Sequence, residues 1–148
     1  MGEQTKLEAE RPSPKGNGEG SGAKPRSVGI AGYILFQKFD DFTAYLFPIV
    51  DRFPHKEKFA LCTQIKNTCY EVVRNIIDAH RAKDKYVILY RIDGQLEFLR
   101  WLLSHSHGRG YLAHHSFEIS SRLVNEVGKI VGRLLNPCSQ KKSDAQKF

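Results

Sequence analysis

The sequence predicts an all-α fold, an antiparallel up-down-up-down four-helix bundle. Three observations predict it. Apolar residues recur at steps of three and four in four successive segments between residues 30 and 136, the spacing that gathers them on one side of a helix. The connections between segments are a few residues each, which turns every helix back along its predecessor. Strand-like alternation is lacking: Tyr86–Tyr90 is β-like in composition but continues into a helical pattern.

The first helix is expected over about Gly32–Phe53. Leu35, Phe39, Phe42, Leu46, Ile49 and Phe53 step by 4, 3, 4, 3 and 4, a heptad seam. Pro48 should kink or restart its last turn, because proline removes one intrahelical bond and crowds the preceding turn. The second helix is expected to begin after Pro54, a good first-turn residue, and to run to about His80. Its core stripe is Leu61, Ile65, Cys69, Val72 and Ile76, with Lys56, Arg74 and Arg81 near the opposite side. Cys62 and Cys69, seven apart on the apolar side, read as buried reduced thiols, small hydrophobes in effect.

The third helix is expected from near Asp84 to just before Gly108, and it has two apolar faces. Leu89, Ile92, Leu96, Leu99 and Leu103 form one stripe; Val87, Tyr90, Gly94, Phe98 and Trp101 gather on the opposite side. One stripe can be buried within the chain. The second needs another cover, most simply another copy of the protein. The fourth helix is expected over about His114–Asn136, with Pro137 ending it. Its stripe reads as Ile119, Leu123, Val127, Ile130 and Leu134, beside a band of Phe117, Val124, Gly128, Val131 and Leu135.

Outside the bundle, residues 1–29 are rich in Gly, Pro, Ser, Lys and Glu. They are expected to form a disordered arm, since such composition cannot bury enough surface to offset chain entropy. Residues 137–148, which include Cys138, read as a flexible basic tail. The N-terminus lacks the apolar region of a secretory leader, and no apolar run approaches the ~20 residues that span a bilayer. With an odd number of unpatterned cysteines, the expected compartment is a reducing cytoplasm with no membrane partner.

The formal charge is +7. Residues 30–136 carry 15 basic against 11 acidic groups, so the excess is not confined to the ends and a polyanionic partner is plausible. Arg74, Arg81, Lys83 and Lys85 run along the second helix and its exit. Arg91 and Arg100 lie on the third helix, and Arg122, Lys129 and Arg133 on the fourth, where Glu126 is placed to pair with Arg122 or Lys129. Repetition of such a face in an oligomer would suit RNA or DNA backbone.

Catalytic and metal signatures are weak. No Glu is followed three residues later by His, so the di-iron pattern of helical bundles is missing. His105, His107, His114 and His115 bracket Gly108-Arg109-Gly110 and leave a zinc site, and with it a metal-dependent enzyme, as an alternative. The competing reading is a polar connection whose first pair sits near a helix C-terminus. The glycines lack a phosphate-loop pattern, and the serines at 104, 106 and 116 have no orienting acid for their histidine neighbours. Neither a cofactor nor catalysis is expected.

Three motifs occur in order: Tyr45-Leu46-Phe47-Pro48-Ile49 followed by Phe53-Pro54-His55-Lys56; Leu96-Glu97-Phe98-Leu99-Arg100-Trp101-Leu102; and Asn125-Glu126-Val127-Gly128-Lys129-Ile130-Val131-Gly132-Arg133-Leu134. Over about Ile34–Leu135 the chain resembles the four-helix proteins encoded in ribosomal RNA intervening sequences. It resembles more closely the accessory variability determinant (Avd) proteins of diversity-generating retroelements. The closer resemblance implies a non-catalytic, ring-like homopentamer that binds a reverse transcriptase and its template RNA in error-prone cDNA synthesis. It places Arg100 in a Leu-Arg-aromatic motif and Gly128 and Gly132 in a fourth-helix glycine pattern. Arg133 and Leu134 depart from the Gly or Ser followed by Trp that the family commonly has there. The alternative implication is an intervening-sequence-type RNA-binding or scaffold protein.

Overall fold

A computed structural model describes residues 29–136. Four helices account for most of them: α1 (Gly29–Val50), α2 (Leu61–Arg81), α3 (Lys85–Gly108) and α4 (His114–Leu135), with a short 3-10 turn at His55–Glu57. No strand occurs among the described residues, and Tyr86–Tyr90 is helical. The helices pack in cyclic order, α1 on α2, α2 on α3, α3 on α4 and α4 on α1, as a four-helix bundle requires. The expected arm (apart from Gly29, which opens α1) and the expected tail with Cys138 lie outside the described residues.

One continuous core links all four helices. Phe39, Phe42 and Leu46 meet Ile65, Cys69 and Val72, then Ile92, Leu96 and Leu99, then Val124, Val127 and Val131. Phe53 and Leu112 close it at one end. The buried polar side chains are satisfied locally. Thr68, Ser106 and Ser120 each donate to a carbonyl one turn back, at 2.8, 2.8 and 2.7 Å, and Asn75 on α2 donates to Gln95 on α3 at 2.9 Å.

Several boundaries differ from the sequence reading. Helix α1 starts at Gly29 rather than Gly32, passes Pro48 and stops at Val50 rather than Phe53. The N–H groups of Arg52 and Phe53 then bond three residues back, to Ile49 and Val50, the tightening usual at a helix end. Val50, not Ile49, is therefore the fully buried seam residue. Helix α2 does not begin after Pro54. Phe53 precedes a proline and is disfavoured from helical geometry, and the 3-10 turn delays the start to Leu61.

Helix α3 begins as expected, with Asp84 Oδ1 accepting from Tyr86 N at 3.1 Å as an N-cap. It ends in a Schellman motif: Tyr111 N bonds Ser106 O and Gly110 N bonds His107 O, with Gly110 at φ 83°. That left-handed position is why a glycine stands there. On α4 the core line is Ser120, Val124, Val127 and Val131, with Ile130 at its margin. It runs between the expected stripe and its neighbouring band, so Ile119, Leu123 and Leu134 are only half-buried.

Candidate protein and nucleic-acid interfaces

The two faces of α3 are both present and they differ in burial. Leu89, Ile92, Leu96, Leu99 and Leu103 are buried in the core. On the opposite side Val87, Tyr90, Gly94, Phe98 and Trp101 are all exposed, with Tyr90 at 62% and Trp101 at 56%. The face is ordered by its own contacts. Phe98 and Trp101 stack with ring centroids 6.3 Å apart, and His105 stacks on Trp101 at 4.8 Å. A flat aromatic ladder therefore runs up the outside of the bundle.

The nine candidate basic residues do not form one patch. Arg74 and Arg81 lie exposed on the outer face of α2, and Lys83 is exposed in the α2–α3 link. Lys85, half-buried at the start of α3, lines an apolar cavity of about 450 Å³ together with Lys83, His80, Leu35, Tyr86 and Leu134. Burial there lowers the His80 pKa, and the Lys85 charge lowers it further. Arg91 is exposed beside the aromatic face, and Arg133 is exposed on the last turn of α4.

The structure does bring Arg100, Arg122 and Lys129 together, along a shallow groove between α3 and α4 shared with Glu118 and Glu126. Arg100 is fixed within it: Nε donates to Asn125 Oδ1 at 2.8 Å and Nη1 to Glu97 Oε2 at 2.7 Å. Gly128 leaves the space its guanidinium occupies. Gly132 has no such neighbour, so only the first of the two glycines serves a close approach. Glu126 pairs with neither Arg122 nor Lys129 but with Lys38 on α1, at 3.4 Å.

The histidines take separate roles. His107 stacks on Phe117 at 4.5 Å and leans on His114 at 5.4 Å, while His114 Nε2 meets Glu118 at 3.1 Å. Among the described residues no three His, Cys, Asp or Glu side chains converge as a metal set. Cys69 is buried and its thiol is pushed up to about 12 by desolvation. Cys62 is only partly buried, and its Sγ donates to Val50 O at 3.5 Å.

Sequence reasoning passed over the connections at one end of the bundle. The Tyr111 hydroxyl in the α3–α4 link donates to Glu57 Oε2 in the α1–α2 link at 2.9 Å, and the rings of Phe53 and Tyr111 lie 5.6 Å apart. Arg109 and Tyr111 are also in contact. From this end Phe59 projects at 81% exposure, with Lys58 Nζ 5.6 Å from its ring centroid. The available signal was the run His55-Lys56-Glu57-Lys58-Phe59, which places an aromatic residue among cations.

Fold and surface together define a class: an all-helical four-helix protein whose distinctive side chains lie on outer faces and connections. The sequence profile of the bAvd-like family matches residues 33–138, and the chain belongs to that family, one of accessory, non-catalytic variability determinants. A search of curated proteins finds no match. No helix among the described residues is long and apolar enough to cross a membrane.

Proposed function

We propose that this protein is the accessory subunit of a diversity-generating retroelement. It assembles as a ring-like homopentamer of antiparallel four-helix protomers and binds the reverse transcriptase and template RNA to support error-prone cDNA synthesis. It contributes no catalytic residue and acts in the cytoplasm. The observation that carries this reading is the exposed α3 face of Val87, Tyr90, Phe98 and Trp101 on a chain of the bAvd-like family. An apolar face of this kind, opposite a filled core, is suited to a sister copy. The antiparallel course is supported by contacts that run in opposite senses: Arg100 with Asn125 and His107 with Phe117, Phe47 with Tyr70 and Val50 with Cys62.

The exposed cations supply the second half of the reading. Arg74 and Arg81 on α2, Lys83 and Lys85 at its exit, Arg91, and the Arg100–Arg122–Lys129 groove with Arg133 are repeated in every subunit, and repetition multiplies their attraction for phosphate backbone. Base reading is not part of the proposal. The test is co-purification of the tagged protein with a diversity-generating reverse transcriptase, and with its template RNA, at low salt. Both should be retained, and RNA retention should fall when Arg122 and Lys129 are changed to Glu. Retention of neither partner overturns the proposal. Retention of ribosomal RNA alone favours the intervening-sequence alternative.

A further inference from the structure

One end of the bundle carries a group of cations. At the end formed by the α1–α2 and α3–α4 connections stand Arg52, Lys56, Lys58, Lys66 and Arg109, against Asp51, Glu57 and Glu118 near the start of α4. Two of the four net positive charges of residues 30–136 are held there. Each carboxylate already has a partner: Asp51 has Lys66, Glu57 the Tyr111 hydroxyl and Glu118 the His114 Nε2. Arg52, Lys56, Lys58 and Arg109 have no ion-pair partner among the described residues.

Phe59 stands among them as the most exposed large apolar side chain of the described residues. The backbone on either side of it is held. Lys58 N bonds His55 O, Ala60 N bonds Glu57 O, and the Thr63 hydroxyl donates to Lys58 O at 2.9 Å. The ring is thus presented from a braced turn, with Lys58 Nζ 5.6 Å from its centroid and Lys66 along the same groove.

We propose that this tip is a contact site for single-stranded nucleic acid, in which a base stacks on Phe59 while neighbouring phosphates lie on Arg52, Lys56, Lys58 and Arg109. The assignment rests on the RNA-binding reading above and gives it a place on the molecule. An open aromatic face flanked by cations is what sequence-tolerant strand binding uses, because every base has a π-face. An acidic peptide would meet the cations and leave the ring without a planar partner. A duplex keeps its bases stacked and would reach only the charges.

Phe59 is solvent-exposed, so its replacement leaves the core intact. The full chain and its Phe59→Ala, Phe59→Trp and Lys56→Glu/Lys58→Glu variants are titrated with a labelled, unstructured RNA strand and with an RNA duplex of equal length, over a range of salt. Phe59→Ala should weaken single-strand binding about tenfold, with the salt dependence unchanged and duplex binding hardly altered. Phe59→Trp should preserve binding, and the lysine pair should flatten the salt dependence. Equal loss on strand and duplex overturns the stacking role. If the unaltered chain binds RNA and Phe59→Ala binds it equally well, only the tip assignment fails; if the unaltered chain binds no RNA, the RNA reading fails as well. Polyglutamate that binds as tightly as RNA, and depends equally on Phe59, would make the tip an acidic-protein dock and overturn the proposal.

Discussion

The guanidinium of Arg100 on α3 lies over the bare backbone of Gly128 on α4, where an added Cβ would come within 2.5 Å of Nη2. A glycine in a helix interior costs about 0.5–1 kcal/mol relative to alanine, so its presence at 128 is offset by what Arg100 gains. Gly132, one turn on, faces open space. We expect Gly132→Ala to stabilise the protein by about 0.5–1 kcal/mol in urea unfolding at fixed protein concentration. Gly128→Ala should be close to neutral, because the displaced guanidinium loses bonds worth about 1 kcal/mol. Its stabilisation should reappear in an Arg100→Ala background. Equal stabilisation by both alanines in the unaltered chain would contradict the account.

Adjacent residues on α3 should respond in opposite ways. Leu99 is fully buried, and Leu99→Ala should cost about 2–5 kcal/mol of protomer stability. Phe98 faces outward, so Phe98→Ala should keep its helical circular dichroism while the sedimenting mass falls. A Phe98→Ala protein that loses stability like Leu99→Ala, with its mass unchanged, would show that the outer face belongs to the protomer.

His80 gives a pH dependence of known sign. Burial first, and Lys85 second, hold its pKa below the ordinary 6.5. The unfolded chain then binds the proton more readily, so stability is fully present above 6.5 and is lost as pH falls through 6.5 toward the lower folded value. We expect the urea midpoint to drop on going from pH 7.5 to 5.5, and His80→Gln to remove part of that drop. Lys85→Met should move the His80 titration, followed by proton NMR, back toward 6.5. A His80 midpoint above 6.5 would contradict this.

The two cysteines of α2 should be separable by a thiol reagent in a Cys138→Ser background. Only the thiolate reacts. Cys69, fully buried and pushed up to about 12, should label only once the chain is unfolded. Cys62 should label in the native state, slowly, since burial raises its pKa while Lys66 opposes the rise. Equal native rates at the two positions would be inconsistent with this core.

The α2 and α3 cores were legible because each has a buried stripe whose steps of three and four are unambiguous; on α1 the same reading failed at Ile49, whose place Val50 takes. Helix α4 was not, because apolar residues cover a wide arc and its core line passes through Ser120. Hydrophobicity alone does not select a serine, yet a serine whose hydroxyl bonds within its own helix is buried at little cost. The Lys38–Glu126 pair joins residues 88 apart in the chain, and no local spacing announces it. The outward aromatic face of α3 was readable as surplus, since one helix needs only one buried stripe. The exposure of Phe59 was not, because aromatic character argues for burial and only the braced 3-10 turn at the bundle end turns it out.

The most direct measurement is sedimentation equilibrium of the full chain at micromolar concentration, beside a Phe98→Glu/Trp101→Glu variant. The account expects a mass five times that of one chain for the unaltered protein, and folded single chains for the variant. Folded single chains of the unaltered protein at that concentration would contradict it.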